Sequence, residues 1–242
     1  MRPECPIHGR MSPLSGQETV KVTRPRSGVY IWVTWLSKLM AGEANCQWSA
    51  WFKSHHTDYA KVPGDFQLAA WTAEHTRLLD EVSKEREKQG ETVYREGQNK
   101  FLAKRPSGLS VAGTPDLISM ESHSGHCTVF DIKTGNPRQS DIIQVALYMM
   151  FLPYATGLYK GKKMDGCVVY KTGYSEVPHH IIDDKFKKNV TYFLDILESS
   201  SPPSKLPSHT GCSWCDLTNA DCPQRVDSRE ADPEETGGAF PM

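Results

Sequence analysis

The chain has 242 residues, of which 38% are hydrophobic and 24% charged, values typical of one globular domain with polar loops. The longest apolar run, residues 29–36, is far shorter than the roughly 20 residues that a membrane-spanning helix needs. The sequence also begins without the apolar stretch of a secretion signal. Composition therefore argues against a membrane protein, and we expect a cytoplasmic one.

The charge of the chain is unevenly distributed. The formal net charge of -1 gives no indication of a nucleic-acid partner. Residues 226–242 hold five acids and one base, so the rest of the chain has 27 basic and 24 acidic residues. Basic stretches at 84–105 and 160–163 fit either a solvated surface or contact with DNA.

The first predicted elements are a flexible segment and a long helix. Residues 1–27 are rich in proline, glycine, serine and charge, so we expect them to be loosely ordered. Asp65 can cap a helix that Gly90 ends. One face of this helix carries residues at helical spacing, which we expect to point inward: Trp71, His75, Leu78, Leu79 and Val82.

The middle of the chain predicts an α/β fold. Strand-like segments at 91–104, 109–120 and 127–134 are separated by short turns, which predicts an antiparallel meander. The remaining predicted elements are a helix at 139–152, strands at 166–171 and 176–182, and a helix at 184–199. Hairpin strands followed by a crossover helix predict a central mixed β-sheet flanked by helices.

The C-terminal part is predicted to contain a linker, a group of cysteines and a tail. Residues 200–210 form a Ser-Pro-rich linker, and the acidic residues 226–242 are predicted to be disordered. Between the two lies a cysteine knuckle, formed by Cys212, Cys215 and Cys222. We therefore predict a single domain at 28–225 that includes this knuckle.

Two acids and a lysine form the most informative group. Asp131 and Lys133 are two residues apart in a strand-like segment, so they share one face of the strand. Asp116 lies near the end of the preceding segment and can converge on them across the hairpin. Alternatively, Asp116 caps a turn after Pro115, and Asp131 and Lys133 form a surface ion pair.

Hydrolysis of a phosphodiester bond needs such a set of residues. Two carboxylates can hold Mg²⁺ or Mn²⁺ through oxygen ligands. The ion lowers the pKa of a bound water from about 15.7 towards neutrality. A neighbouring lysine can position that water or stabilise the charge of the transition state.

The residues Pro115-Asp116 and Asp131-Ile132-Lys133 resemble the signature of the PD-(D/E)XK nuclease superfamily. Gln144 and Tyr148 resemble the Q-x-x-x-Y motif of its RecB-type exonuclease branch, and His75 resembles the upstream histidine of that branch. The resemblance implies a restriction-endonuclease-like core. It also implies that Asp116, Asp131, Lys133, Gln144 and Tyr148 are catalytic, and that the metal ligands are His75, Asp116, Asp131 and Ile132.

The seven cysteines favour a metal or cluster site, because their number is odd and three of them lie close together. The segment around Cys46 resembles the cysteine-bearing helix of iron–sulfur RecB-type nucleases, above all the CRISPR-associated exonucleases and their viral and stand-alone relatives. The resemblance implies that Cys46, Cys212, Cys215 and Cys222 hold a structural [4Fe-4S] cluster. Structural zinc bound by the same thiolates, or with His209 or His8 as a substitute ligand, is the alternative.

The leading hypothesis is therefore a Mg²⁺- or Mn²⁺-dependent nuclease that acts on single-stranded DNA or duplex ends, with a structural iron–sulfur cluster. Its expected partners are DNA and, further, proteins of recombination, repair or CRISPR adaptation. One alternative is an inactive DNA-binding or scaffold subunit with a nuclease fold. Another is a zinc-stabilised interaction protein in which the match around Asp131 is accidental.

Overall fold

The computed structural model describes residues 22–63 and 68–226, in which helices pack around β-sheets. The strands are β1 Arg24–Pro25, β2 Tyr30–Trp32, β3 His56–Thr57, β4 Glu91–Arg95, β5 Phe101–Lys104, β6 Ser110–Gly113, β7 Leu117–Glu121, β8 Cys127–Lys133, β9 Met164–Tyr170 and β10 Gly173–Val177. The helices are α1 Val33–Met40, α2 Gln47–His55, α3 Leu68–Lys88, α4 Glu96–Asn99, α5 Gln139–Ala155, α6 Asp184–Glu198 and α7 His209–Ser213.

The central sheet has five strands in the order β10-β9-β8-β7-β4. Strands β8 and β9 run parallel, because α5 crosses over between them, and the other neighbouring strands are antiparallel. Val129, Phe130 and Ile132 are buried, so apolar residues cover both faces of the central strand β8. This mixed sheet with flanking helices confirms the predicted fold class.

Two predicted strands are divided in the structure, which corrects the predicted meander. Residues 91–104 form β4, the short helix α4 and β5, and residues 109–120 form β6 and β7. Strand β6 belongs to a second sheet, β2-β6-β5, whereas β7 lies in the central sheet. Pro115 lies at the division, where it has no N–H to donate to a strand ladder. At the same point Asn99 Nδ2 donates to the carbonyl oxygens of Tyr94, at 2.8 Å, and Pro115, at 3.3 Å.

Helix α5 packs against the strands that carry the candidate acids. It was predicted at 139–152 and continues to Ala155. It contacts α1, β5, β8 and β9, and most of its residues are buried, which explains its lack of a polar face. Gln144 and Tyr148 are among the buried residues, so both motif side chains point into the protein.

Helix α3 covers the other side of the central sheet. His75, Leu78 and Leu79 are buried as predicted, but Trp71 is 38% exposed, because the face that it shares with His75 borders an open cleft. The predicted cap, Asp65, lies outside the described residues. Among the residues that the structure describes, no helix has the length and apolar character that crossing a membrane requires.

The last strand and helix end the central layer. The strand predicted at 176–182 is shifted towards the N-terminus, to Gly173–Val177, because Pro178 is followed by a turn of 3-10 helix at His179–Ile181. Helix α6 agrees with its predicted position. The side chain of Asp183 caps it by accepting the Phe186 N–H at 2.7 Å.

The N-terminal segment is partly described. Arg24–Pro25, within the segment predicted to be loosely ordered, pairs with His56–Thr57 as an antiparallel ladder. Thr23 Oγ1 also donates to Asp221 Oδ1 at 2.7 Å. The rest of the predicted flexible segment, residues 1–21, and the predicted disordered tail from 227 onward lie outside the described residues.

The packing of α5 on β9 depends on Gly166. A Cβ atom built there would collide with Val145 Cγ1 and would lie 2.8 Å from Met149 Sδ. We therefore expect Gly166→Ala to lower the free energy of unfolding by about 1–3 kcal/mol, measured by chemical denaturation. The control is Gly157→Ala, where a Cβ has no atom within 4 Å. Equal stability of the two variants would contradict this packing.

Candidate active site

A cleft of about 620 Å³ opens where β6, β7 and β8 meet helices α3 and α5. The residues predicted to be functional line it together: His75, Asp116, Asp131, Ile132, Lys133, Gln144 and Tyr148. The remaining wall includes Trp32 and Thr34 from the junction of β2 and α1, Trp71 from α3, Glu96 from α4, and Thr134 and Gly135 after β8. The fold thus gathers residues from elements that are about 100 residues apart in the chain.

Asp131 and Lys133 form an ion pair inside this cleft. Lys133 Nζ lies 2.6 Å from Asp131 Oδ2, and the Asp131 side chain is 3% exposed. Their common face follows from the alternation of side chains along β8. Because Asp131 is buried and β8 is the middle strand of the sheet, the alternative of a surface ion pair is wrong.

Gln144 and Tyr148 hold this pair from α5. Gln144 Nε2 donates to Asp131 Oδ1 at 3.0 Å and to the Tyr148 hydroxyl oxygen at 2.9 Å, and Lys133 Nζ donates to Gln144 Oε1 at 3.4 Å. The two residues meet because they are one helical turn apart. The Tyr148 hydroxyl donates in turn to the carbonyl oxygen of Thr114 at 3.4 Å. The network fixes the position of the Asp131 carboxylate.

Asp116 is linked to both the sheet and α3. Its Oδ2 accepts the main-chain N–H of Ile132 at 2.6 Å and lies 3.3 Å from His75 Nε2. The antiparallel register of β7 and β8, which pairs Leu117 with Phe130, brings this acid beside the neighbour of Asp131. Ile132 has a buried apolar side chain, so only its main-chain oxygen can serve as a ligand.

Protonation in the cleft reflects burial and the concentration of charge. Burial raises the pKa of the Asp131 carboxyl more than the adjacent Lys133 ammonium lowers it. The hydrogen bond to Asp116 raises the pKa of His75 above 6.5, although partial burial acts in the opposite direction. Burial raises the pKa of Tyr148 well above 10.0, so this phenol stays protonated and can donate a hydrogen bond.

The donor atoms suit a hard divalent ion. Carboxylate oxygens and a neutral imidazole nitrogen are common ligands of Mn²⁺ and related ions. His75 Nε2 and Asp116 Oδ2 converge, while Asp131 is directed at Lys133 and Gln144. In the arrangement described for 22–63 and 68–226, no three His, Cys, Asp or Glu side chains form a group that could hold an ion. Lys133 and Gln144 contact the two oxygens of the Asp131 carboxylate in this arrangement.

Sequence reasoning missed three residues of the cleft wall. The ring of Trp71 stacks on His75, with centroids 4.8 Å apart, although Trp71 was predicted to be part of the buried stripe. Trp32 lies in the apolar run at 29–36, whose composition gives no indication of a place in a cleft. Glu96, an acid with no assigned role, lies at the cleft because α4 interrupts the predicted strand, and its charge helps to raise the pKa of His75.

The four cysteines predicted to bind a cluster line a separate small cavity. Cys46 precedes α2, and Cys212, Cys215 and Cys222 lie in and after α7. All four have free thiols. Their surroundings are apolar, with Trp48, Phe52, Tyr59 and Leu217 buried around them. The fold therefore brings together an N-terminal and a C-terminal part of the chain. Cys127 and Cys167 are buried elsewhere, as predicted.

Comparison with known proteins identifies the family. A model of the PD-(D/E)XK nuclease superfamily matches residues 33–220. Among solved structures, the crystal structure of SSO0001 is similar, with 15% sequence identity and a TM-score of 0.46 over 84% of this chain and 90% of that chain. No curated protein matches the sequence. The extent of the family match shows that the chain belongs to the PD-(D/E)XK nuclease superfamily.

Proposed function

We propose that this chain is a Mg²⁺- or Mn²⁺-dependent deoxyribonuclease of the RecB-type exonuclease branch. The observation that carries the proposal is the buried network in which Gln144 and Tyr148 hold Asp131 beside Lys133. A buried ion pair of this kind costs desolvation energy, which a purely structural role does not require. His75 and Asp116 open into the same cleft, so one substrate can meet all of these groups.

The chain's own residues have distinct tasks in phosphodiester hydrolysis. His75, Asp116, Asp131 and the main-chain oxygen of Ile132 would hold the ion, which when bound supplies an activated water and screens the phosphate charge. Lys133 holds a positive charge on Nζ beside the phosphate oxygens, where negative charge develops as water adds to phosphorus and the ester P–O bond breaks. Gln144 and Tyr148 orient Asp131 and Lys133, so these two are positioning residues.

The aromatic side chains in the cleft wall support unpaired DNA as the substrate. Trp71 is partly exposed beside His75, and Trp32 also lines the cleft. Aromatic side chains stack on unpaired bases without regard to sequence. A single strand, or the frayed end of a duplex, can present such bases, whereas the interior of a duplex cannot. Partners in recombination, repair or CRISPR adaptation stay predictions.

A structural [4Fe-4S] cluster at Cys46, Cys212, Cys215 and Cys222 completes the proposal. Four thiols around one apolar cavity suit either this cluster or zinc. The resemblance of the segment around Cys46 to the iron–sulfur RecB-type nucleases favours the cluster over zinc.

An oxygen-free preparation tests the function directly. Single-stranded and duplex DNA, labelled at either end, is incubated with Mn²⁺ and with the parent protein, Asp131→Asn or Asp184→Asn. We expect cleavage by the parent and by the control Asp184→Asn, whose side chain is 91% exposed on α6. Asp131→Asn should be inactive. A parent protein without activity would favour a scaffold subunit, and full activity of Asp131→Asn would exclude this site.

Iron and acid-labile sulfide in the same preparation test the cluster. We expect about four iron atoms per chain, together with broad visible absorbance that dithionite reduces. One zinc ion per chain with a colourless protein would instead assign a zinc site.

Metal binding at the cleft should weaken as the pH falls. Ligation needs an ionised Asp131 and a neutral His75, and both pKa values are raised, so protons compete with the ion up to a higher pH than usual. We expect the Kd for Mn²⁺ to increase by more than tenfold between about pH 8 and about pH 6. The electron paramagnetic resonance signal of unbound Mn²⁺ measures this Kd. His75→Asn should flatten this dependence. A pH-independent Kd would show that neither group is a ligand.

A further inference from the structure

An arginine that follows a cleft-lining segment of the chain lies over the ring of an exposed tryptophan. Trp214 stands between Cys212 and Cys215, and 75% of it is exposed. The guanidinium carbon of Arg138 lies 5.7 Å from the centre of the Trp214 ring. Arg138 directly precedes α5 and follows Gly135, which lines the cleft, by three residues. The cysteine knuckle therefore borders the loop that leaves the candidate active strand.

Lys38 extends this surface from the other wall of the cleft. It is exposed on α1, one helical turn beyond Thr34, which is also exposed and lines the cleft. The main-chain oxygen of Lys38 accepts the N–H of Glu43 at 2.9 Å, and Glu43 in turn bonds to Ser140, two residues after Arg138, so Lys38 and Arg138 lie in one region. The surface thus continues from the cleft through α1 and the loop before α5.

The acids near this surface have other partners. Glu43 accepts hydrogen bonds from the main chain and side chain of Ser140, at 3.0 and 2.8 Å. Asp216 is paired with Lys53 at 3.1 Å. Among the residues that the structure describes, no carboxylate forms an ion pair with Lys38 or Arg138. Both cations are therefore available to an anionic ligand.

An exposed aromatic ring on a surface with cations suits one class of ligand. Bases of a single strand stack on aromatic rings, and one stacked base strengthens binding by between about fivefold and about a hundredfold. Lysine and arginine bind the phosphates that join these bases. A duplex offers phosphates but no free base faces. The combination of ring and cations therefore favours single-stranded nucleic acid over a duplex or an acidic protein surface.

We propose that Lys38, Arg138 and Trp214 form a second binding site for single-stranded nucleic acid, continuous with the cleft. This proposal rests on the proposed function, because it takes the cleft to be where the strand is cut. It assigns the cysteine knuckle a role in substrate binding as well as in stability. Long strands reach Trp214, and strands that fill only the cleft do not.

Fluorescence anisotropy tests the site without cleavage. Each substitution is made in the Asp131→Asn background, and binding is measured to oligothymidylates of about 15 and about 4 nucleotides. We expect Trp214→Ala to raise the Kd for the longer strand by about tenfold and to leave the shorter strand unchanged. Trp214→Phe should restore binding, since the phenyl ring also stacks. The control Tyr154→Ala removes an 84% exposed aromatic side chain at the far end of α5.

The salt dependence of binding tests the cation independently. Lys38→Ala should reduce the slope of log Kd against log salt concentration by about 0.7, the value for one lost phosphate contact on a single strand. Trp214→Ala should leave the slope unchanged. The metal content of each variant is measured alongside. If Trp214→Ala loses metal, the Kd of Trp214→Phe and the salt slope of Lys38→Ala decide whether the site binds the strand.

Equal Kd values for Trp214→Ala and Tyr154→Ala on the longer strand would overturn the proposal, and so would an unchanged slope for Lys38→Ala. If Trp214→Ala changes the Kd for an acidic protein but not the Kd for the longer strand, the surface is a protein-binding site instead. If the strand binds as expected and the parent protein never cuts it, the nuclease proposal fails while this site stands.

Discussion

Replacing Lys133 by methionine is expected to lower kcat by about a hundredfold or more, because one electrostatic stabiliser typically contributes about 3 kcal/mol to transition-state binding. Methionine keeps the length of the side chain but removes the charge that lies 2.6 Å from Asp131 Oδ2. The measurement is single-turnover cleavage of labelled single-stranded DNA at saturating Mn²⁺. Saturation separates loss of chemistry from loss of the ion.

The Lys133 prediction includes an effect of opposite direction on metal binding. Without the ammonium, Asp131 has no cation to release, so at a pH high enough to keep Asp131 ionised Lys133→Met should bind Mn²⁺ at least as tightly as the parent protein. Lys188→Met, on the exposed surface of α6, is the matched control and should keep full kcat. Unchanged kcat in Lys133→Met, or a kcat restored by more metal, would show that Lys133 does not act on the substrate.

Replacing Cys46 by serine is expected to lower the free energy of unfolding by about 4–5 kcal/mol, by analogy with a covalent link of similar span. Cys46 and Cys212 line one cavity although about 165 residues separate them in the chain, so a bound cluster closes a long loop. Thermal unfolding under nitrogen, with iron content determined on the same sample, measures the effect. Loss of iron and of stability should occur together.

A second cysteine distinguishes a ligand from a merely buried thiol. Cys167 is buried in β9, away from the cavity. Cys167→Ala should cost only about 1 kcal/mol and should retain all of the iron. If Cys46→Ser and Cys167→Ala lose the same stability, with metal content unchanged in both, Cys46 is not a ligand.

The parts of the fold that the sequence predicts best are those set by local periodicity. Strand β8 is predicted because Val129, Phe130 and Ile132 form an apolar strand, and the alternation of side chains gives Asp131 and Lys133 a common face. Helix α5 is predicted for the same kind of reason, and its period places Gln144 and Tyr148 together. The central network of the candidate site therefore follows from two elements.

Other features depend on contacts between distant parts of the chain. The division of 91–104 and 109–120 between two sheets involves Asn99, which bonds to main-chain oxygens of Tyr94 and Pro115. No local pattern encodes such a contact. Trp71 has helical spacing typical of a core residue, and its exposure depends on the open cleft beside α3. The cysteine spacing indicates a site, but only the fold brings Cys46 to the other three.

Contacts between early and late parts of the chain also affect when the protein can fold during synthesis. Thr23 bonds to Asp221, and Lys53 pairs with Asp216. These early residues therefore cannot make their contacts until the late part of the chain has been synthesised. The ribosome adds about 5–20 residues per second, and a chain that has reached only β9 still lacks the three C-terminal cysteines. The cysteine cavity can close only after residue 222 has left the exit tunnel. The nascent chain therefore carries a complete set of cleft residues for some seconds before its cysteine cavity can form.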